Sequence, residues 1–448
     1  MKIPVNPPES INLSAIISTL NPVQEEAFNQ NIKPLDNKDR YLHWDKLRHL
    51  TPPENLSSKN WWYATKLGRK LTTAQIPLLS INNNKFCFCV PDTIQKSLHE
   101  LDMQTAGTIK TPIQLSKQDK TTYLVRSLIE EAISSSQLEG ADTTRKVAKE
   151  MIRQGRNPQN RSEQMISNNY NAMRFISEYK NEKLNVPIIF ELHRILTEKT
   201  LDIPEDAGKF RDSEDQIQII DRVQQNILFV PPPAAEISER MKAFCNFVNS
   251  EESCFIHPII KAIIIHFMLA YIHPFVDGNG RTSRALFYWF LARKGYWLME
   301  FISISSIIQK SRSNYERAFL YTETDENDLT YFIFNQIDVI NKAVEQFHRY
   351  LNKRNQEKQK LKIFLQRGAI KIQLNPRQMT LLRHALANPR FTYKIRDYQR
   401  THNITYQTAR QDLLDMSLKR LLDQGKLGRE FIFIVPDNLR QRLKINKA

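Results

Sequence analysis

The spacing of apolar positions divides the chain into long helical stretches and a few short extended ones. Apolar residues recurring every three or four positions predict helices over 121–137, 146–153, 161–179, 186–197, 235–249, 257–272 and 281–292. The most apolar run, Ala262 to Ile272, is interrupted by His266 and flanked by Lys261 and His273. It falls short of the roughly 20 residues that span a bilayer, so it reads as a core helix. Alternation of period two marks Lys85 to Val90 as a strand after an Asn82-Asn-Asn84 turn, with Cys87 and Cys89 on one packed face. It also marks Gln216 to Ile220 and Asn226 to Val230 as a β-hairpin closed by Pro231, Pro232 and Pro233. Near the N-terminus, short helical pieces around Tyr41 to Asp45 stop at Pro52 and Pro53, and a helix runs from Asn60 toward Leu71.

Beyond Asn341 the pattern becomes a highly charged helix, read as a connector. A small unit then begins near Asn375, with three short helices, a Gly425–Gly428 turn and a strand from Glu430 to Val435. The expected divisions are an N-terminal helical region over 1–110, a main domain over 111–345, the charged helix over 346–373 and a small domain over 374–448.

Composition narrows the class. The 448 residues hold only 11 glycines and are 41% hydrophobic, which fits a globular, mainly α chain. The net charge of +16 favours a polyanionic partner, a nucleic acid or a phosphorylated ligand. Four irregularly placed cysteines, Cys87, Cys89, Cys245 and Cys254, argue against a disulfide scaffold. No secretory h-region follows Met1, so a cytoplasmic protein without membrane contact is expected.

The chemistry concentrates in His273-Pro-Phe-Val-Asp-Gly-Asn-Gly-Arg-Thr-Ser-Arg284, between two apolar helices. A Gly278-Asn279-Gly280 turn ahead of a helix offers backbone N–H groups at a positive helix end, where an anion binds. Arg281 and Arg284 stand three apart and can both grip phosphate oxygens. Asp277 supplies a hard carboxylate for Mg²⁺. His273 can take a proton near neutral pH. Base, metal ligand, anion cradle and charge clamp together suit phosphoryl or nucleotidyl transfer. Two other readings stay open: a plain helix–helix turn, and a zinc site from His257, His266 and His273. The zinc site is strained by the two-turn gap between His266 and His273 and by the lack of a Cys pair.

At these residues the chain resembles the Fic family, whose signature is HxFxDGNGRxxR with Glu permitted for Asp. His273, Phe275, Asp277, Gly278, Asn279, Gly280, Arg281 and Arg284 meet every fixed position. The resemblance implies an all-helical core with a small β-hairpin flap, and transfer of AMP from ATP to a Ser, Thr or Tyr hydroxyl of a target protein. It implies His273 as the base, Asp277 as the Mg²⁺ ligand, Gly278, Asn279, Gly280 and Arg281 along the phosphates, and Phe275 as the anchor of the loop. Ser135-Ser-Gln-Leu-Glu-Gly140 is similar to the family's inhibitory segment, Ser or Thr, three residues, Glu, then Gly or Asn. The resemblance implies that Ser135, Glu139 and Gly140 form a brake in which Glu139 pairs with Arg284. Gly208-Lys-Phe-Arg211 and the following extended run resemble the flap, although Gln216-Ile217-Gln218 departs from the commoner Trp-Ile-Gly. Tyr315 can line the nucleotide base or belong to the core. Tyr41-Leu-His-Trp44 and Asn60-Trp-Trp62 also look like Fic proteins of this long type.

Leu374 to Val435 resembles a winged helix-turn-helix, with Thr405 as N-cap of a recognition helix and Lys426 and Arg429 in the wing. Ala409, Leu413 and Met416 would face inward, and Tyr406, Gln407 and Arg410 outward. Such a unit enters a DNA major groove or serves protein contact and homo-oligomer formation. AMP removal or another nucleotidyl transfer at the same site, and a nucleotide-sensing DNA-binding regulator, are the rival functions. ATP and Mg²⁺ are the expected substrate and cofactor, and a target protein, which can be the chain itself, is the expected partner.

Overall fold

The structure, a computed structural model, describes residues 3–9, 16–105, 117–221, 225–250, 255–367, 373–428 and 430–443, with the side chains of 117–122, 358 and 360–367 left aside. Cys254, Arg429 and the expected division at 110 lie outside the described residues. The chain is mainly helical with three small sheets. Among the described residues no helix is long and apolar enough to cross a membrane.

The N-terminal helices are α1 (Pro22–Gln30), α2 (Trp44–Leu47) and α3 (Ser58–Lys70). Asn21 and Gln24 close a reciprocal capping box on α1, which satisfies N–H groups that the first helical turn leaves open. Strand β1 (Ala74–Leu79) pairs antiparallel with β2 (Lys85–Phe88). The β2 segment ends two residues earlier than its alternation suggests. Its partner β1 escapes a pattern reading because Pro77 interrupts it. Cys87 exchanges backbone hydrogen bonds with Asn327 and Leu329, and Cys89 is buried against Thr330 and Tyr41.

Helix α4 (Asp92–Thr105) leads to α5 (Lys117–Leu138), α6 (Arg145–Gln154), α7 (Arg161–Glu178) and α8 (Val186–Thr197). A two-stranded hairpin follows, β3 (Ile219–Ile220) with β4 (Ile227–Phe229), much shorter than the alternating stretches around it. Next come α9 (Ile237–Asn249), α10 (Pro258–Ile272) and α11 (Asn279–Arg293). Helices α10 and α11 are buried almost all round, α10 apolar almost throughout and α11 apolar after its polar first turns, with Phe267, Leu269, Phe287 and Leu291 fully buried at the centre of the molecule. Each such side chain contributes about 1.5–3 kcal/mol by leaving water, so the loop between the two helices is held at both ends by the most stable part of the fold.

Two shorter helices, α12 (Ile304–Ile308) and α13 (Arg312–Thr324), precede α14 (Thr330–Arg367). The charged helix seen after Asn341 is the second half of α14, which begins apolar and buried at Phe332 and Ile333. The terminal unit holds α15 (Pro376–Ala387), β5 (Thr392–Lys394), α16 (Ile395–His402), α17 (Tyr406–Leu418), β6 (Asp423–Leu427), β7 (Glu430–Ile434) and α18 (Leu439–Arg442). Its sheet order is β5-β7-β6, and Leu382, Leu413, Met416 and Phe433 form its core. Gly425 to Leu427, expected in a turn, lie in β6. Gly428, with φ +61, makes the turn, while Gly425 pairs across from Ile432.

Candidate functional site

The loop from His273 to Gly278 begins where α10 ends. His273 is the C-cap of α10, with a left-handed backbone at φ 50 and its N–H on Leu269 O. Its ring Nδ1 lies 3.1 Å from Ala270 O. A carbonyl only accepts, so Nδ1 carries the proton and Nε2 keeps its lone pair. Burial holds the imidazole below its ordinary pKa against the opposing pull of the Ala270 carbonyl. His273 is therefore neutral near pH 7 and able to act as a base.

Phe275 is fully buried between Phe190, Phe210 and a parallel His193 ring whose centroid is 3.8 Å away. Asn279 closes the loop on itself: its Oδ1 accepts from Phe275 N–H at 3.0 Å and its Nδ2 donates to Phe275 O at 2.8 Å. Its side chain thus braces the loop, and its backbone begins α11. Gly278 takes φ +86, and no side chain caps the N–H groups that open α11. Those groups remain available to an anion.

The two arginines of the loop have different surroundings. Arg281 is buried, donating to Leu196 O at 2.9 Å and to Asp277 Oδ2 at 3.1 Å. It closes the C-terminal end of α8 and holds Asp277 from behind. Arg284 reaches the space beside the N-terminus of α11. There its Nε donates to Ser135 Oγ at 2.9 Å, and its Nη2 to Ser135 O at 3.1 Å and Glu139 Oε1 at 2.7 Å. The Glu139 carboxylate lies over Gly280, where an added β-carbon would collide with Oε1. Burial alone would raise the Glu139 pKa, but the Arg284 charge and hydrogen bond outweigh it and hold the carboxyl below its usual range. Tyr315 stands beneath this pair. Its hydroxyl lies within the field of the Arg284 charge and 2.9 Å from Nε2 of His266, whose pKa burial lowers to about 3, which keeps that ring neutral.

Asp277 Oδ1 accepts from Gly278 N–H at 2.6 Å, and its side chain is 46% exposed. One partly exposed carboxylate beside an anion cradle is the donor set that suits Mg²⁺ shared with a phosphate. Gly140 ends the Glu139 segment with φ 106. His257, by contrast, bonds Asp102, so His266 within α10 and the two histidines that cap it, His257 and His273, have separate partners.

The hairpin hangs from this loop. Arg211 donates from its backbone N to Pro274 O at 2.9 Å, from Nε to His273 O at 2.8 Å and from Nη2 to Pro232 O at 2.5 Å. Gln216 and Gln218 are exposed and Ile217 half-buried, just before β3. His193 is a second tie that pattern reading passed over. Its Nδ1 accepts from Gly208 N–H at 2.9 Å, and its Nε2 donates to Asp277 O at 2.8 Å. Burial lowers its pKa to about 4, so the neutral tautomer that serves both bonds persists. A lone histidine in an amphipathic helix carries no spacing signal, and its role appears only when α8 meets the loop.

Comparison with known proteins follows the same residues. Residues 183–291 match the Fic/DOC family. A stretch of 127 residues, 28% of this chain, is 37% identical to a Drosophila virilis protein named protein adenylyltransferase Fic and covers 24% of it. The Drosophila melanogaster protein of the same name is 36% identical over the same length, again 24% of that protein. The chain thus matches about a quarter of the length of these curated relatives. A crystal structure of a Fic family protein from Desulfovibrio desulfuricans G20 aligns with a TM-score of 0.49 at 16% identity, over 77% of this chain and 95% of that one.

Proposed function

We propose that this chain, which carries a Fic/DOC-family domain, transfers AMP from ATP to a hydroxyl of a protein, and that Glu139 restrains the reaction. The observation that carries this reading is a neutral His273, with a free Nε2, beside the uncapped start of α11. The phosphates would lie against the first N–H groups of α11, with Arg284 on the outermost. The target hydroxyl gives its proton to His273 Nε2 as its oxygen bonds to the α-phosphorus. The bond from that phosphorus to the bridging oxygen breaks, and pyrophosphate leaves. Asp277 would hold Mg²⁺, which neutralises charge on the phosphates when bound. Arg211 and His193 fix the flap to the loop, so an extended target segment can pair along β3 or β4 and present its hydroxyl. The target can be another copy of the chain.

Incubation with labelled ATP and Mg²⁺, followed by intact mass, tests the reaction: a gain matching one AMP supports it. Binding of ATP with no AMP on any protein would favour a nucleotide-sensing regulator.

His193→Phe keeps a ring against Phe275 and removes both hydrogen bonds. Transfer is expected to fall on the order of 10- to 100-fold, because small displacements of a reacting geometry are costly. The pH midpoint set by His273 should stay in place, which separates positioning from base chemistry. An unchanged rate would sink the positioning role.

The terminal unit supports a second, compatible activity. Thr405 caps α17, and Tyr406, Gln407 and Arg410 are exposed on one face while Ala409, Leu413 and Met416 are buried. We propose that this face binds duplex DNA. Affinity should then fall steeply with salt, and Arg410→Ala should weaken it and lower the salt slope by about one. Retention independent of salt, or no shift with any duplex, would favour a protein-contact surface.

A further inference from the structure

A cavity of about 490 Å³ lies between α5, α6, α7, the second half of α11 and α16 of the terminal unit. That volume is within the roughly 300–1,000 Å³ of small-molecule sites. Its floor is aliphatic, with Leu128 and Ile129 from α5, Ile152 from α6 and Ile176 from α7. Its rim is cationic, with one arginine from each of three helices: Arg153 of α6, Arg174 of α7 and Arg400 of α16.

The cavity is built by the fold rather than left between loops. Gly155 ends α6 in the left-handed conformation at φ +61, and a β-carbon there would collide with the Arg400 guanidinium. Glycine therefore lets the arginine of the terminal unit close over the end of α6. Among the described residues, none of the three arginines forms an ion pair or hydrogen bond with a carboxylate. Their neighbours carry both signs: Arg126 repels Arg153 and Lys149 feels both, while Glu150 attracts Arg153 and Asp397 lies within the field of Arg400. Two carboxylates, Glu178 and Glu300, also line the cavity. Burial pushes the Glu300 carboxyl up, and Lys180 stands 4.0 Å from it. Three arginines against these two carboxylates leave the lining with an excess of positive charge, above an apolar floor.

We propose that this cavity binds a small ligand with an apolar body and a phosphate head, the head on Arg153, Arg174 and Arg400 and the body on the aliphatic floor. A phosphate accepts paired hydrogen bonds from guanidinium groups, and apolar surface leaving water adds about 25 cal/mol per Å². The loop site offers its anion cradle to a phosphate but no aliphatic floor to an apolar body, and none of its residues lines this cavity, so the proposal stands apart from the reaction proposed there. The floor includes α5, which carries Ser135 and ends at Leu138 just before Glu139, so an occupant would touch the inhibitory helix about two turns before Ser135.

The test is calorimetric titration of the full chain with decyl phosphate below its micellar range, beside inorganic phosphate and decanol. Saturable binding at one site per chain is expected, tighter than for either half-ligand. Arg153→Glu with Arg400→Glu should weaken it on the order of tenfold or more, the loss of charge-assisted hydrogen bonds. Arg153→Gln serves if the double variant melts early, and should weaken binding in the same direction. The proposal is overturned if decyl phosphate does not saturate, if decanol binds equally well, or if the arginine variants bind like the parent. Adsorption to phosphatidic acid vesicles without binding of the monomeric probe would likewise overturn it, since that is a surface and not a cavity.

Discussion

His273→Ala is expected to lower AMP transfer by about 10²–10⁴-fold while ATP binding stays nearly unchanged. The imidazole keeps a free lone pair on Nε2 near neutral pH, because Ala270 O fixes the proton on Nδ1. The anion contacts come from elsewhere, from the start of α11 and from Arg284. Alanine can also adopt the C-cap position only at some cost, since φ is 50 there, so melting temperature should be recorded beside the rate. Single-turnover transfer from labelled ATP, with nucleotide affinity measured separately, decides the matter. Wild-type rates in the variant would sink the base assignment.

The same residue sets the pH profile. Burial holds the folded pKa of His273 below its ordinary 6.5. The base must be neutral, so activity is present above the folded pKa and lost as pH falls through it. The midpoint of transfer should therefore lie below pH 6.5, with activity declining as pH falls through it. A midpoint above 6.5 would show that the imidazole is not in the desolvated setting the structure gives it.

Much of this site could be read in the sequence, because its decisive features are local. A glycine-flanked turn before a helix exposes N–H groups wherever it occurs, and a histidine at the end of the preceding helix must stand near them. The pairing of Glu139 with Arg284 bridges 145 residues and came only from family resemblance, since no spacing rule connects them. Arg281 shows where local reasoning stops. Three residues from Arg284, it shares a helix side by periodicity, yet it turns under the loop because the Leu196 carbonyl at the end of α8 needs a donor. His193 and Arg211 were opaque for the same reason: their partners are backbone groups of a distant segment. In the fold, Pro77 hid β1, and the change from apolar to charged residues along α14 looked like the start of a new helix.

Glu139→Gly is expected to raise AMP transfer on the order of 10- to 100-fold, self-modification included. The carboxylate holds Arg284 at 2.7 Å and covers Gly280, so it occupies both the charge and the space that an outer phosphate would need. A charged hydrogen bond contributes about 1.5–3 kcal/mol, which is one to two powers of ten in an equilibrium. Glycine at this position costs the fold little: Leu138 is the last residue of α5, and Gly140 already carries the positive φ. The Ser135 hydroxyl and carbonyl would keep Arg284 in place after the carboxylate is gone. Acid does not mimic the substitution in the working range. The folded pKa of Glu139 is depressed, so the ion pair is fully present above the ordinary carboxylate pKa of 4.5 and is lost only as pH falls through the lower folded value. Activity lost on acidification thus reports His273, and activity gained by Glu139→Gly reports the pair. Arg284→Ala in the Glu139→Gly background should erase the gain, because the phosphate then loses the guanidinium it was competing for. A labelled-ATP assay of the single and double variants beside the parent measures this. An unchanged or lower rate for Glu139→Gly would remove the inhibitory role while leaving His273 and the anion cradle as they stand.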